Sequence, residues 1–98
     1  MANNPVHDNS AAQRYEMDVA GKIAFVTYRR SPGVVTLLHA EVPPELSRRG
    51  LGAQLARGAL ELVRAQGCKV IPRCSFIASY LTRHPEYQGL LVDPPLTP

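Results

Sequence analysis

The chain has no tryptophan, only four tyrosines and two phenylalanines, and only two cysteines in 98 residues. Cys68 and Cys74 are too few for a disulfide framework, and their spacing is not the C-x-x-C of zinc or redox sites, so no metal is expected. The scarcity of aromatics removes the stacking platform on which single-stranded nucleic acids are bound. No apolar run approaches the roughly 20 residues that cross a bilayer, which argues against a membrane span. Met1 to Ala12 is polar and carries no apolar segment, so no secretory signal is read there and a cytoplasmic protein is expected. Charge of one sign is also scarce. Eleven basic residues against eight acidic give a formal net charge of +3, and the positives fall as the pairs Arg29/Arg30 and Arg48/Arg49 plus singles. That distribution suits a local anionic ligand better than a nucleic-acid stripe.

What is present is enough for one core. With 45% hydrophobic and 19% charged residues the chain is too apolar for intrinsic disorder, and its length allows a single domain. Residues 1–12 are read as a disordered tail, 13–93 as the domain and 94–98 as a proline-rich C-terminal tail. Arg14 to Val19 reads as a strand, and Ala20-Gly21 as a turn. Lys22 to Tyr28 reads as a second strand buried on both sides. Ser31-Pro32-Gly33 turns the chain into a third strand, Val34 to Val42. On that strand the period of two places Val35, Leu37, His39 and Glu41 on one face. Pro43-Pro44 ends it.

From Leu51 to Gln66 the spacing becomes helical: Leu51, Leu55, Ala56, Leu60, Leu62 and Val63 form a stripe, opposed by Gln54, Arg57, Glu61 and Arg64. Gly67 is placed to end this helix. Cys68 to Pro72 reads as a strand brought beside the third by the crossover, and Ser75 to Arg83 as a second helix broken by His84-Pro85. Glu86 to Val92 reads as a last short turn of helix or an extended arm. The expected fold is therefore α+β, a mixed sheet in β-β-β-α-β-α order with the helices packed on it.

Glu41 to Ala53 joins a strand end, a loop and the opening of the long helix. Gly50 and Gly52 remove side chains where helix N-terminal N–H groups point outward, and Arg48 and Arg49 add charge at the same place, which outlines a diphosphate cradle. It is neither a Walker loop nor a complete dinucleotide fingerprint. Alone, the pattern equally fits an ordinary loop with solvated arginines.

Four segments in order extend the pattern: Leu38-His39-Ala40-Glu41-Val42-Pro43, Gly50-Leu51-Gly52, Val70-Ile71-Pro72-Arg73-Cys74-Ser75-Phe76 and Arg83-His84-Pro85-Glu86-Tyr87. Together they resemble the minimal stand-alone members of the GNAT N-acetyltransferase superfamily. The superfamily signature Gln/Arg-x-x-Gly-x-Gly/Ala falls on Ser47 to Gly52, with Ser47 where Gln or Arg is usual. The resemblance implies acetyl transfer from acetyl-CoA to an amine, borne by a small molecule or a peptide. The diphosphate is then held by Arg48, Arg49, Gly50, Leu51, Gly52 and Ala53. It also implies that the strand ending at Val42 splays from its neighbour, so that a backbone N–H near Val42 reaches the thioester oxygen.

For the side chains, two readings stand side by side. His39 is a sheet histidine or a general base, and Glu41 is a surface carboxylate, a group orienting His39, or the base itself. Cys74 is a buried thiol, or it lies near the CoA sulfur as nucleophile or proton donor. Tyr80 is a core residue, or the acid that protonates the departing thiolate. Cys68 is assigned to the core. A different function class, a small basic nucleic-acid module using Arg48, Arg49, Arg57 and Arg64, is disfavoured by Glu61 between the last two. A third alternative is a CoA-binding sensor without turnover. Dimerisation through an open sheet edge is a further expectation for so short a chain.

Overall fold

The computed structural model describes residues 4–47 and 50–92. Four strands form an antiparallel meander: β1 (Val6–Asn9), β2 (Arg14–Val19), β3 (Lys22–Ser31) and β4 (Val34–Glu41). A single helical turn, α1 (Pro44–Ser47), precedes the long helix α2 (Leu51–Ala65). The strand β5 (Lys69–Pro72) follows, then α3 (Ser75–Arg83) and a 3-10 helix, Pro85–Leu90. The sheet order is β1-β2-β3-β4-β5, with β4 and β5 parallel. This is the expected mixed sheet with helices packed on it, carrying one strand more than the sequence suggested.

The extra strand corrects the reading of residues 1–12 as a tail. Val6 to Asn9 pairs antiparallel with Met17 to Arg14, and three features hold it. Tyr28 donates its hydroxyl to Asp8 Oδ1 at 2.6 Å, and Gln66 Nε2 donates to Asp8 Oδ2 at 3.1 Å. Val6 sits against Gly58 of α2, where a Cβ would lie 2.6 Å from Val6 Cβ. A polar composition concealed this strand because its anchors, one valine and one aspartate, lie far from their partners in sequence. The expected C-terminal tail, 94–98, lies outside the described residues.

The Ala20-Gly21 turn is the two-residue hairpin expected, both residues at positive φ, as the twist of paired strands favours. β3 is buried on one face only. Ala24, Val26 and Tyr28 enter the core while Ile23, Phe25 and Thr27 look away from it. Both helices cover the same face. Tyr15, Val26, Leu37, Leu60, Val63 and Ile77 belong to one cluster, and Leu51 and Leu55 join Met17 and Ala24 in a second that seats the start of α2.

Among the described residues no helix covers the other sheet face. Its one buried charge is Glu16, 5% exposed, which accepts from Arg14 Nε at 2.7 Å and Asn9 Nδ2 at 3.1 Å and faces His7 Nε2 at 3.3 Å. Burial pushes its carboxyl up, but the bonds from Arg14, Asn9 and His7 outweigh burial and hold it below the usual range.

Candidate functional site

β4 carries a bulge. Tyr28 faces Leu37 and Thr27 faces His39, so Leu38 has no partner on β3. The inserted residue overturns the expectation that Val35, Leu37, His39 and Glu41 share a face. Val35 and Leu37 are in the core, whereas beyond Leu38 it is Ala40 and Val42 that pack inward. His39 and Glu41 emerge on the helix-free face beside Thr27 and Phe25. They remain together there, His39 Nε2 lying 3.2 Å from Glu41 Oε2 with both side chains more than 60% exposed. A carboxylate at that distance orients an imidazole.

On the other edge of β4 the pairing with β5 runs only from Val34–Lys69 to Leu37–Pro72. Pro72 can donate nothing to a ladder, and the amides of Arg73 and Cys74 both turn back to Leu37 O, at 2.9 and 3.0 Å. β5 thus bends into α3 while β4 continues to Glu41. Among the described residues no strand lies beside Leu38 to Glu41 on that side. The open edge presents backbone donors and acceptors to whatever enters the gap.

Cys74 stands at the base of this gap as the residue preceding α3, its side chain only 5% exposed. Cys68 belongs to the core, as expected, with its sulfur 3.6 Å from Arg30 Nη2. Val42 is half-buried in the cluster that seats α2. Gly50 precedes α2 in the left-handed conformation, φ 69°, and among the described residues no side chain caps the helix. The first turn of α2, Leu51 to Ala53, therefore offers its N–H groups to a ligand, and a dipole end favours an anion there. The gap and the uncapped turn together fit an extended thioester carrier ending in a diphosphate. Arg48 and Arg49 lie outside the described residues.

Gly52 has a packing role that its place in the motif does not announce. A Cβ there would point at the Phe76 ring on the first turn of α3, 2.8 Å from Cζ. The glycine lets α2 and α3 approach closely. The sequence places Phe76 in the segment that runs from Val70 through Cys74, but nothing in its local spacing pairs it with Gly52.

Tyr80 is on the buried side of α3, stacked on His84 at 4.0 Å and tilted against Tyr87 at 6.2 Å. Burial pushes its phenol up, with Arg57 pulling the other way. It lines a groove of about 350 Å3 that Arg57, Glu61 and Arg64 flank from α2. The structure thus brings His39 to Glu41, and Cys74 to the strand gap, while Tyr80 lies in the inter-helix groove. Arg57 is the groove residue that sequence reasoning left on a solvated face, and the i, i+4 spacing of Arg57 and Glu61 gave no hint of what they face.

Residues 14–90 match a family model described as GCN5-related N-acetyl-transferase. The fold is similar to the solution structure of a GCN5-like protein from Staphylococcus aureus, with a TM-score of 0.68 at 24% identity, over 94% of this chain and 91% of that one. No curated protein matches the chain significantly in sequence.

Proposed function

Because the chain belongs to the GCN5-related N-acetyltransferase family, we propose that it moves an acetyl group from acetyl-CoA to a primary amine by direct attack of the amine on the thioester. The observation that carries this reading is the parting of β4 from β5 after Leu37 and Pro72, in a chain whose next long element, α2, begins with a turn that no described side chain caps. The diphosphate would rest on the N–H groups of Leu51, Gly52 and Ala53 with Arg48 and Arg49 supplying charge, and the pantetheine arm would lie along the open edge of β4.

Acetyl-CoA supplies an activated acyl carbon; the protein positions it and handles protons. A backbone N–H of β4 near Val42 would donate to the thioester oxygen, an interaction whose loss costs about 3–4 kcal/mol in other enzymes. The acceptor would arrive from the helix-free face, where His39 and Glu41 are exposed. His39, oriented by Glu41, would take the proton from the amine as the new C–N bond forms. The C–S bond then breaks, and the CoA sulfur leaves with a proton from the protein or solvent. The burial of Cys74 supports a wall of the gap over an acyl carrier.

Calorimetric titration with acetyl-CoA tests the donor, and absence of binding would overturn the reading. Incubation with acetyl-CoA alone separates the mechanisms: direct attack leaves no acetyl mass adduct, whereas an adduct that disappears in Cys74→Ala would replace it with a covalent route. His39→Ala should lower kcat by roughly 10²–10⁴-fold with little change in acetyl-CoA affinity, as expected for loss of a general base.

A further inference from the structure

No motif in the chain addresses the acceptor, but the sheet face that carries the His39–Glu41 pair has a chemistry of its own. We propose that this face takes an amine bearing a carboxylate a few bonds away, as in an amino acid or a short peptide, and that Arg14 is the specificity-determining residue that holds the carboxylate. The inference rests on the proposed acetyl transfer, which puts the amine at His39.

Strand pairing sets the side chains of this face in two rows. One runs His7, Glu16, Phe25, Glu41 from β1 to β4, and the other Asn9, Arg14, Thr27, His39. Neighbouring strands lie about 4.8 Å apart, so the backbone of Arg14 is about 10 Å from that of His39. The head group of Arg14 comes nearer. Its guanidinium carbon lies 4.4 Å from the centre of the Phe25 ring, and Phe25 is the direct neighbour of Glu41 on β4. The cation therefore leans over β3 toward the pair, leaving a span that a short methylene chain bridges.

The guanidinium is held but not used up. Its Nε and Nη2 donate to Glu16 Oε2, while among the described residues the two N–H groups of Nη1 meet no acceptor and the side chain is 31% exposed. Glu16 also accepts from Asn9 Nδ2 and faces His7 Nε2, so its charge is shared among three partners instead of being spent on Arg14. With Phe25 under it and Glu16 behind it, the planar fork is fixed in one orientation and loses little freedom on meeting a carboxylate. At the other end of the span Glu41 stands beside His39. The face is negative where the amine arrives and offers cationic donors where the carboxylate would lie, a polarity that favours a zwitterion and disfavours a diamine.

The test compares δ-aminovalerate, ε-aminocaproate, pentylamine and cadaverine as acceptors for the intact protein, reading CoA release at saturating acetyl-CoA, and follows the Arg14 Nε–Hε resonance during titration with δ-aminovalerate alone. The two aminocarboxylates should exceed pentylamine by about tenfold in kcat/KM, as a charge-assisted hydrogen bond implies, with the gain in KM and not in kcat, and cadaverine should fall below pentylamine. Arg14→Lys keeps a charge beside Glu16 without the fork and should retain part of the preference. Arg14→Gln combined with Glu16→Gln leaves no buried charge unpaired and should erase it. Equal kcat/KM for the aminocarboxylates and pentylamine, or a preference that survives the double substitution, would overturn the subsite with acetyl transfer still standing. A shifted Arg14 resonance with no amine acetylated would keep the carboxylate site and remove the transfer reading, whereas neither shift nor acetylation would overturn both.

Discussion

Gly52 and Glu16 show how single positions carry more than their type suggests. A methyl group at Gly52 must displace the tip of the Phe76 ring. Overpacking of this kind costs about 1–3 kcal/mol, against up to about 1 kcal/mol gained from the better helix propensity of alanine. Gly52→Ala is therefore expected to lower Tm, and Gly52→Ala with Phe76→Leu to recover most of the loss, as a double-mutant cycle on thermal melts would reveal. Glu16 makes a pH prediction. Its carboxyl is depressed in the folded protein, so the stability it contributes is complete above the ordinary carboxylate range near pH 4 and is lost as pH falls through the lower folded value. Glu16→Gln should be less stable at neutral pH by about 1–3 kcal/mol and lose less than the parent between neutrality and pH 3 in a urea series. The glycine motif was legible in the sequence; the object facing its second glycine was not, because Phe76 is 24 residues away and local spacing says nothing of such a contact.

At the level of elements, the two helices, β2 and β5 were readable because each keeps one period over its length and ends at glycine or proline. The same pattern counting misplaced the dyad on β4, since it assumes unbroken alternation and a bulge leaves no mark in a run of Leu37-Leu38. It missed β1 for a related reason: four residues are too short for periodicity, and the strand is held by what it meets. Gly58→Ala should accordingly push Val6 away from α2. The expected result is faster amide exchange across Val6 to Asn9 with α2 protection retained, and unchanged exchange in β1 would deny Gly58 this role. Tyr28→Phe, which removes the 2.6 Å bond to Asp8, should loosen the same strand by about 1 kcal/mol.

For the molecule as a whole, one layer of helices on one face of a five-stranded sheet is a small core, and its stability should respond strongly to a ligand that bridges β4, β5 and α2. At a CoA concentration 100 times Kd the folded state gains about 2.7 kcal/mol, which for a domain of this size raises Tm by roughly 10 °C or more. A thermal scan against CoA concentration checks this, and a flat response would count against the donor. The bulge at Leu38 also fixes the reading frame of everything after it. Were the strand straight, with Leu38 paired like its neighbours, odd and even would exchange along the end of β4, burying an imidazole and a carboxylate where Ala40 and Val42 now sit and turning those two outward. The chemistry of this face therefore depends on a backbone irregularity that carries no functional group, and a survey of side chains alone would pass over it.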